Sequence, residues 1–261
     1  MIKNLIQYYL KQNRHRGKTR LVRCILRLLP YRFIRSHYGV FLATNKKDIT
    51  NIYAISGDYG YVIYDHIKSL PQNSYFIDIG ANYGLFTNLA AQQLSNGKVF
   101  AFEPNPYIYR FFLYALEKNG YRNIIPFHCA VGPEDSLLSL SYNEKHSGLS
   151  SIQTSSKNDS KNITVPVFNI ADLKGLDCLQ DEKEIHIKID VEGFEAVVLK
   201  TILEANWKKN IRSIVVEIDN SNLQSFGSST SDLYNIMQHQ GFKPTIGMNE
   251  ERHYDEIFIS E

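Results

Sequence analysis

The 261-residue chain predicts one doubly wound α/β domain with a mostly parallel seven-stranded sheet, preceded by a basic helical extension. Three observations predict it. From residue 75 onward, short apolar runs alternate with stretches of helical period, the pattern of repeated strand–helix units. Residues 75–87, YFIDIGANYGLFT, read as strand, glycine-rich turn and helix, the opening unit of a nucleotide-binding sheet. Charge is also divided: residues 1–47 hold twelve of the 29 Lys and Arg and none of the 27 Asp and Glu. The boundary is therefore placed at 47, with an extension over 1–47 and the main domain over 48–261.

In the extension, Leu21, Ile25, Leu26, Leu28 and Leu29 form a broken apolar stripe among arginines. A secretory signal fits badly, because charges interrupt every apolar run and no small-residue cleavage site follows. Two readings stay open for residues 1–38. A basic amphipathic helix suits an anionic membrane surface or an acidic partner; equally, its leucines could pack on the flank of the domain. Nucleic acid is not expected, since no RNA- or DNA-binding signature accompanies the charge.

Residues 39–44 (GVFLAT) predict a short strand, and 48–70 a helix, loop and helix leading into the sheet. After the central turn, 98–102 (KVFAF) is the second strand. The helix over 105–119 has Pro106 in its first turn and Gly120 as its cap. Residues 123–131 (NIIPFHCAV) predict a third strand, placed on the outside of the sheet by Pro126. Residues 132–164 are polar and suit short antiparallel strands with a mobile loop; 164–173 suit an edge strand and a short helix. The fourth and fifth strands are 184–189 (EIHIKI) and 213–218 (SIVVEI), separated by a helix over 194–203. A helix over 232–240 and two antiparallel strands, 243–246 and 256–259, complete the chain.

No run approaches the ~18 apolar residues of a membrane span. Cys24, Cys129 and Cys178 are odd in number and lack metal spacing, which argues for a reducing, cytoplasmic setting and against a disulfide framework.

The turn decides which ligand is expected. A dinucleotide fingerprint starting at Gly80 needs glycine at 82 and 85, where Asn82 and Leu85 stand, and no Walker-type phosphate loop occurs. What remains is D-x-G-x-N-x-G, followed by Glu103 at the end of the second strand, 19 positions after Gly84. That is the offset at which an acid takes a ribose diol. An acid without a pyrophosphate loop suits a nucleoside such as S-adenosylmethionine. In the fourth strand, Ile185, Ile187 and Ile189 alternate with His186, Lys188 and Asp190, although a strand buried on both faces is expected to be apolar throughout. Lys188 then needs a partner, and Glu217 on the neighbouring strand is the candidate.

FIDIGANYG, VFAFEPNP and KIDVEGFEAVVL (188–199) together resemble the FkbM family of S-adenosylmethionine-dependent methyltransferases. The family pattern has a D-x-G-A-N-x-G turn, an E-P-x-P segment and K-I-D-V-E-G-x-E, in that order. The resemblance covers about residues 49–218 and leaves 1–47 outside. SGDYGYVIY (56–64) departs from the usual Y-E-x-x form of that segment, which puts substrate entry in doubt.

The resemblance implies a class I, Rossmann-like methyltransferase that methylates a hydroxyl, commonly of a sugar in a glycan or a glycosylated metabolite. Asp78, Gly80, Asn82 and Gly84 would then hold the methionine portion, Glu103 the ribose with Asn105 beside it, and Ala130 and Val131 the adenine. Candidates for removing the hydroxyl proton are Asp190, then Glu192, then His146. A divalent metal bridging Asp190, Asp219 and Asn220 is conceivable but not favoured, and no metal ligand is assigned. The expected acceptor is a saccharide, on a lipid-linked or surface glycan if the basic extension holds the enzyme peripherally on the inner membrane face. The rival readings are methylation of another small molecule or a protein, and a non-catalytic binding module. Nitrogen targets are disfavoured, since D-V-E-G stands where an N-P-P-[YF] motif would.

Overall fold

The computed structural model describes residues 9–10, 17–28, 32–149, 161–173, 175–181, 183–249 and 253–261. Leu29 of the apolar stripe, and residues 150–160 of the polar segment, lie outside these.

Twelve strands and eight helices carry the fold among the described residues. Helix α1 (Lys18–Leu28) and the hairpin β1 (Phe33–Arg35) and β2 (Phe41–Ala43) come first, then α2 (Ile49–Ser56) and α3 (Tyr61–Ser69). The sheet begins with β3 (Tyr75–Ile79), α4 (Leu85–Gln93), β4 (Lys98–Phe102), α5 (Pro106–Asn119) and β5 (Ile124–Phe127). A side sheet is made of β6 (Ala130–Val131), β7 (Ser136–Tyr142) and β8 (Lys161–Phe168). The chain then returns through β9 (Ile185–Ile189), α6 (Glu195–Glu204), β10 (Ile211–Ile218), α7 (Asn220–Ser225), α8 (Thr230–His239), β11 (Phe242–Pro244) and β12 (Tyr254–Ser260).

The seven-stranded sheet has the order β11-β12-β10-β9-β3-β4-β5. Strands β10, β9, β3, β4 and β5 run parallel, and β12 is antiparallel to both neighbours. The order reverses between β3 and β9, so ligands are expected where the carboxyl ends of these strands part. Pro126 does lie in the edge strand β5. The run 123–131, however, is not one strand. It breaks after Phe127, and Ala130–Val131 turns away to pair with β8 in the side sheet. The strand expected near 164 joins the same sheet through β7 and not the edge of the main one.

The two faces of the sheet divide the core by the two-residue period of the strands. Tyr75, Ile77 and Ile79, with Ile185, Ile187 and Ile189, pack on one side against α6 and α8. Phe76, Val99 and Val215 face the other side, against α2, α3 and α4. Helix α1 belongs to that second core. Val22 and Leu26 are buried among its residues, while Arg20, Leu21, Cys24, Arg27 and Leu28 point outward. The inward face of α1 thus packs on the flank of the domain.

The polar alternation of β9 lies on the second face as well. His186 accepts or donates to Ser213 Oγ at 2.8 Å, which also meets His66 at 2.7 Å. Lys188 stands level with Asp78 across the β3–β9 pairing.

Candidate active site

A cavity of about 460 Å³ opens at the carboxyl ends of β3, β4, β9 and β10, within the range of small-molecule sites. It has two chemically different ends.

The first is built on the glycine turn. Gly80 has φ +81°, and a Cβ there would lie 1.8 Å from the backbone oxygen of Asp190, so only glycine lets β3 and β9 approach at this level. Asn82 also takes the left-handed region, φ 50°, which asparagine tolerates better than most residues. That places the Asn82 N–H 2.8 Å from Glu103 Oε2, while the Asn105 N–H donates to Oε1 at 2.8 Å. Each oxygen keeps a lone pair, and Glu103 lines the cavity. Burial pushes its carboxyl up to about 7, against the pull of those two N–H groups. Asn105 spends its Oδ1 capping α5 through the Tyr107 N–H, and its Nδ2 is buried without a hydrogen-bond partner among the described residues. Beyond it, Ala130, Val131, Phe102, Ile108 and Leu140 form an apolar wall.

Glu103 offers two outward lone pairs, Asn105 a spare donor, and the wall a slot for a flat ring. This set fits S-adenosylmethionine. Gly80, Asn82, Glu103, Asn105, Ala130 and Val131 all line the cavity. Asp78 and Gly84 are in a different position. Asp78 is fully buried beneath the turn, accepting from Thr87 Oγ1 at 2.6 Å, and Gly84 caps α4 with the Phe112 ring against it. Their part is to hold the turn and helix that present the wall.

Lys188 ties this end to the other. Its Nζ lies 3.3 Å from Asp78, 3.2 Å from Asp190 and 3.1 Å from the Gly80 carbonyl oxygen. Glu217 is therefore not its partner. The residue beside Lys188 on β10 is Val215, and Glu217 reaches His253 Nε2 at 2.8 Å instead.

The second end is crowded with carboxylates. Oxygens of Asp190, Glu192 and Glu217 lie within 4.8 Å of one another. Burial drives Asp190 up, but the Lys188 ammonium and a hydrogen bond with Glu217 outweigh it and hold the carboxyl below its ordinary range. Glu217 is pushed well above its range by burial and by Asp190. Glu192, φ 54°, accepts from Asn222 Nδ2 at 3.0 Å; burial and its acidic neighbours push it up to about 10. The Glu217 hydrogen bond raises His253 to about 9. Of the three clustered acids, Asp190 is the one held below its ordinary range.

The turn after β9 is braced by Glu195, not by Asp190 or Glu192: its carboxylate accepts the Val191 and Gly193 N–H groups at 3.0 to 3.1 Å. The bridging set Asp190, Asp219 and Asn220 is not assembled. Asp219 caps α7 through the N–H groups of Ser221 and Asn222, and Asn220 turns to Thr230.

His146 lines the cavity from residues 146–148, which are pinned and not free among the described residues. His146 meets Thr50 Oγ1 at 3.3 Å, the Ser147 N–H donates to Asp48, and Ser147 Oγ donates to Asn82 at 3.3 Å. Tyr53 and Tyr59, from the segment that departs from the family pattern and the helix before it, close the remaining wall. His253 and the two tyrosines carried no motif; only the pairing of β12 with β10 brings His253 to Glu217.

The sequence profile described as the Methyltransferase FkbM domain matches residues 78–244, which takes in both ends of the cavity except His253 and the helices before β3. "Methyltransferase 1" of Beauveria bassiana (strain ARSEF 2860) is 28% identical over 173 residues, 59% of this chain and 68% of that protein. "Methyltransferase sdnD" of Sordaria araneosa is 30% identical over 205 residues, 65% of this chain and 79% of that protein. Among solved structures, a precorrin-6y C5,15-methyltransferase from Geobacter metallireducens GS-15 aligns over 77% of this chain and 87% of its own, with 13% identity and a TM-score of 0.45. The profile spans most of the chain, and the turn and acid it covers are those that fit the cofactor: the chain belongs to the FkbM methyltransferase family and is an S-adenosylmethionine-dependent methyltransferase.

Proposed function

We propose that the chain methylates a hydroxyl oxygen, and that the acceptor is a saccharide. The observation that carries this reading is the second end of the cavity. Acidic side chains at the ends of β9 and β10, with His253, surround a space that Tyr53 and Tyr59 also wall, a composition that pairs with several hydroxyls at once and stacks a sugar ring.

Bound S-adenosylmethionine supplies a methyl group on a positively charged sulfur, open to in-line displacement. Glu103 would orient the nucleoside by accepting from the ribose hydroxyls, and the Gly80 turn would let backbone approach the methionine part; such positioning would supply much of the rate. A hydroxyl acceptor gives up its proton when it is methylated, and that proton needs a base. Asp190, kept ionised by Lys188, is the acceptor for that proton, with Glu217 and His253 leading toward solvent. Glu192, protonated at neutral pH, donates a hydrogen bond to a second hydroxyl. Tritiated-methyl transfer to a panel of glycans and glycosides tests the acceptor class; exclusive labelling of amine or carboxylate compounds would sink it. Asp190→Asn should cut turnover about a hundredfold or more while leaving S-adenosylhomocysteine affinity unchanged.

The outward face of α1 supports placement at an anionic lipid surface. Leu21 and Leu28, 46% and 82% exposed, lie two turns apart with Arg20 and Arg27 beside them. No helix among the described residues is long and apolar enough to cross a membrane. Deleting residues 1–38 would tear Val22 and Leu26 from the core, so the informative variant is Leu21→Glu with Leu28→Glu. Loss of sedimentation with phosphatidylserine vesicles is expected; unchanged sedimentation refutes the surface role.

A further inference from the structure

A second, open groove lies between α1 and α2, lined by Gly17, Thr19, Arg20, Arg23, Tyr53 and Asp58. Tyr53 lines the methyl-transfer cavity too, one helical turn after Thr50, so the groove and the cavity share a wall.

Its chemistry is opposite to that of the acidic cluster. Two guanidinium groups face one carboxylate, and the Lys18 ammonium lies in the field of that carboxylate, Asp58. Arg23 Nε is buried with no hydrogen-bond partner among the described residues, a state that costs free energy until an acceptor arrives. The arm itself cannot supply that acceptor as a charge, since residues 1–47 contain no Asp or Glu. The groove also lies wholly outside the family match at 78–244, so it is a feature through which this chain could select its own acceptor.

We infer that the groove binds a phosphoryl group carried by the acceptor, a phosphate or diphosphate ester next to the sugar that is methylated. Arginine suits this task because its planar fork meets two phosphoryl oxygens at once. The acidic cluster would repel the same group, so the pair of sites sets the direction in which the acceptor lies: hydroxyls toward Asp190, phosphoryl past Tyr53 toward Arg23. The inference takes its purpose from the saccharide reading above, but the binding it predicts can be measured without any methyl transfer.

The test is calorimetric titration of inorganic pyrophosphate into the full chain saturated with S-adenosylhomocysteine at low salt. Wild type should bind. Arg20→Gln and Arg23→Gln should each weaken binding about tenfold, and the double variant should abolish it. Arg23→Lys should recover part of the affinity, and unchanged S-adenosylhomocysteine binding in every variant shows that the fold is intact. Uridine 5′-diphosphate and farnesyl diphosphate extend the series; the tighter of the two identifies a nucleotide-linked or a lipid-linked phosphoryl source. Absence of pyrophosphate binding to wild type, or binding that survives the double substitution, overturns the inference. Failure to methylate any sugar, phosphorylated or neutral, overturns the saccharide reading instead and leaves the titration to decide the groove.

Discussion

The two ends of the cavity are built by opposite means. At the cofactor end, polarity comes from backbone: the N–H groups of Asn82 and Asn105 grip one carboxylate, and Gly80 lets two strands close together. At the acceptor end, polarity comes from side chains on separate strands, with Asp190, Glu192 and Glu217 so close that they cannot all be ionised. The first end is preorganised for one ligand. The second holds a protonation pattern that an acceptor, and its proton, can change. Lys188 is the joint, since it touches Asp78 below the turn, the Gly80 carbonyl and Asp190.

Breaking that joint should have the largest effect. Lys188→Met leaves Asp78 buried opposite no cation, and loss of one partner of a buried pair costs about 3–5 kcal/mol. Chemical denaturation should show that loss, with cofactor binding and turnover lost together. If Lys188→Met were as stable as wild type, the two ends would be independent.

Glu103→Ala comes next and addresses the cofactor end alone. Removing the diol acceptor and stranding two N–H groups should weaken S-adenosylmethionine binding by roughly 2–4 kcal/mol in calorimetry. Affinity should also fall as pH drops below about 7, because the diol needs the ionised carboxylate and burial has raised Glu103 to about 7. A flat affinity between pH 5.5 and 8.5 would show that Glu103 is not the ribose ligand.

A smaller effect separates the ends by stability. Glu103, Glu195 and Asp255 are raised to about 7, 7 and 6, so the folded chain binds more protons than the unfolded chain between their ordinary values and these. His253, raised to about 9, acts in the same direction at higher pH. Stability without ligand should therefore fall as pH rises through about 4.5 to 9. The thermal midpoint should be higher at pH 5.5 than at pH 8.5. Glu192→Gln should have the smallest effect on stability, under about 1 kcal/mol, because glutamine replaces a carboxyl that is already protonated. It should also flatten part of the pH dependence. Strong destabilisation by Glu192→Gln would mean the charged form is the native one.

The same division governs what could be read in advance. The cofactor end lies almost entirely within residues 78–105, where the local order of strand, turn and helix fixes the spacing, so Gly80, Asn82, Glu103 and Asn105 were legible residue by residue. Asp78 and Gly84 were legible as members of the turn but not as supports behind the wall, because only packing shows which way a strand residue faces. The acceptor end was legible only in part. Asp190 and Glu192 follow a motif, but Glu217 and His253 meet through the antiparallel pairing of β10 with β12. Lys188 had acids available on both flanking strands, and the β3–β9 register gave it Asp78.

By itself, then, the sequence determined the parallel sheet, the nucleoside turn and its acid, and the segregation of basic charge into the arm. These depend on periodicity, glycine and composition, which are local. Tertiary structure alone decided that residues 130–131 leave the main sheet for a separate one. It also decided that α1 buries one face in the core, that its arginines line a groove reaching Tyr53, and which carboxyl groups crowd together. The reason is physical: a charge's partner and its protonation depend on distances of a few ångströms between chain segments far apart in sequence, and only the packed fold sets those distances.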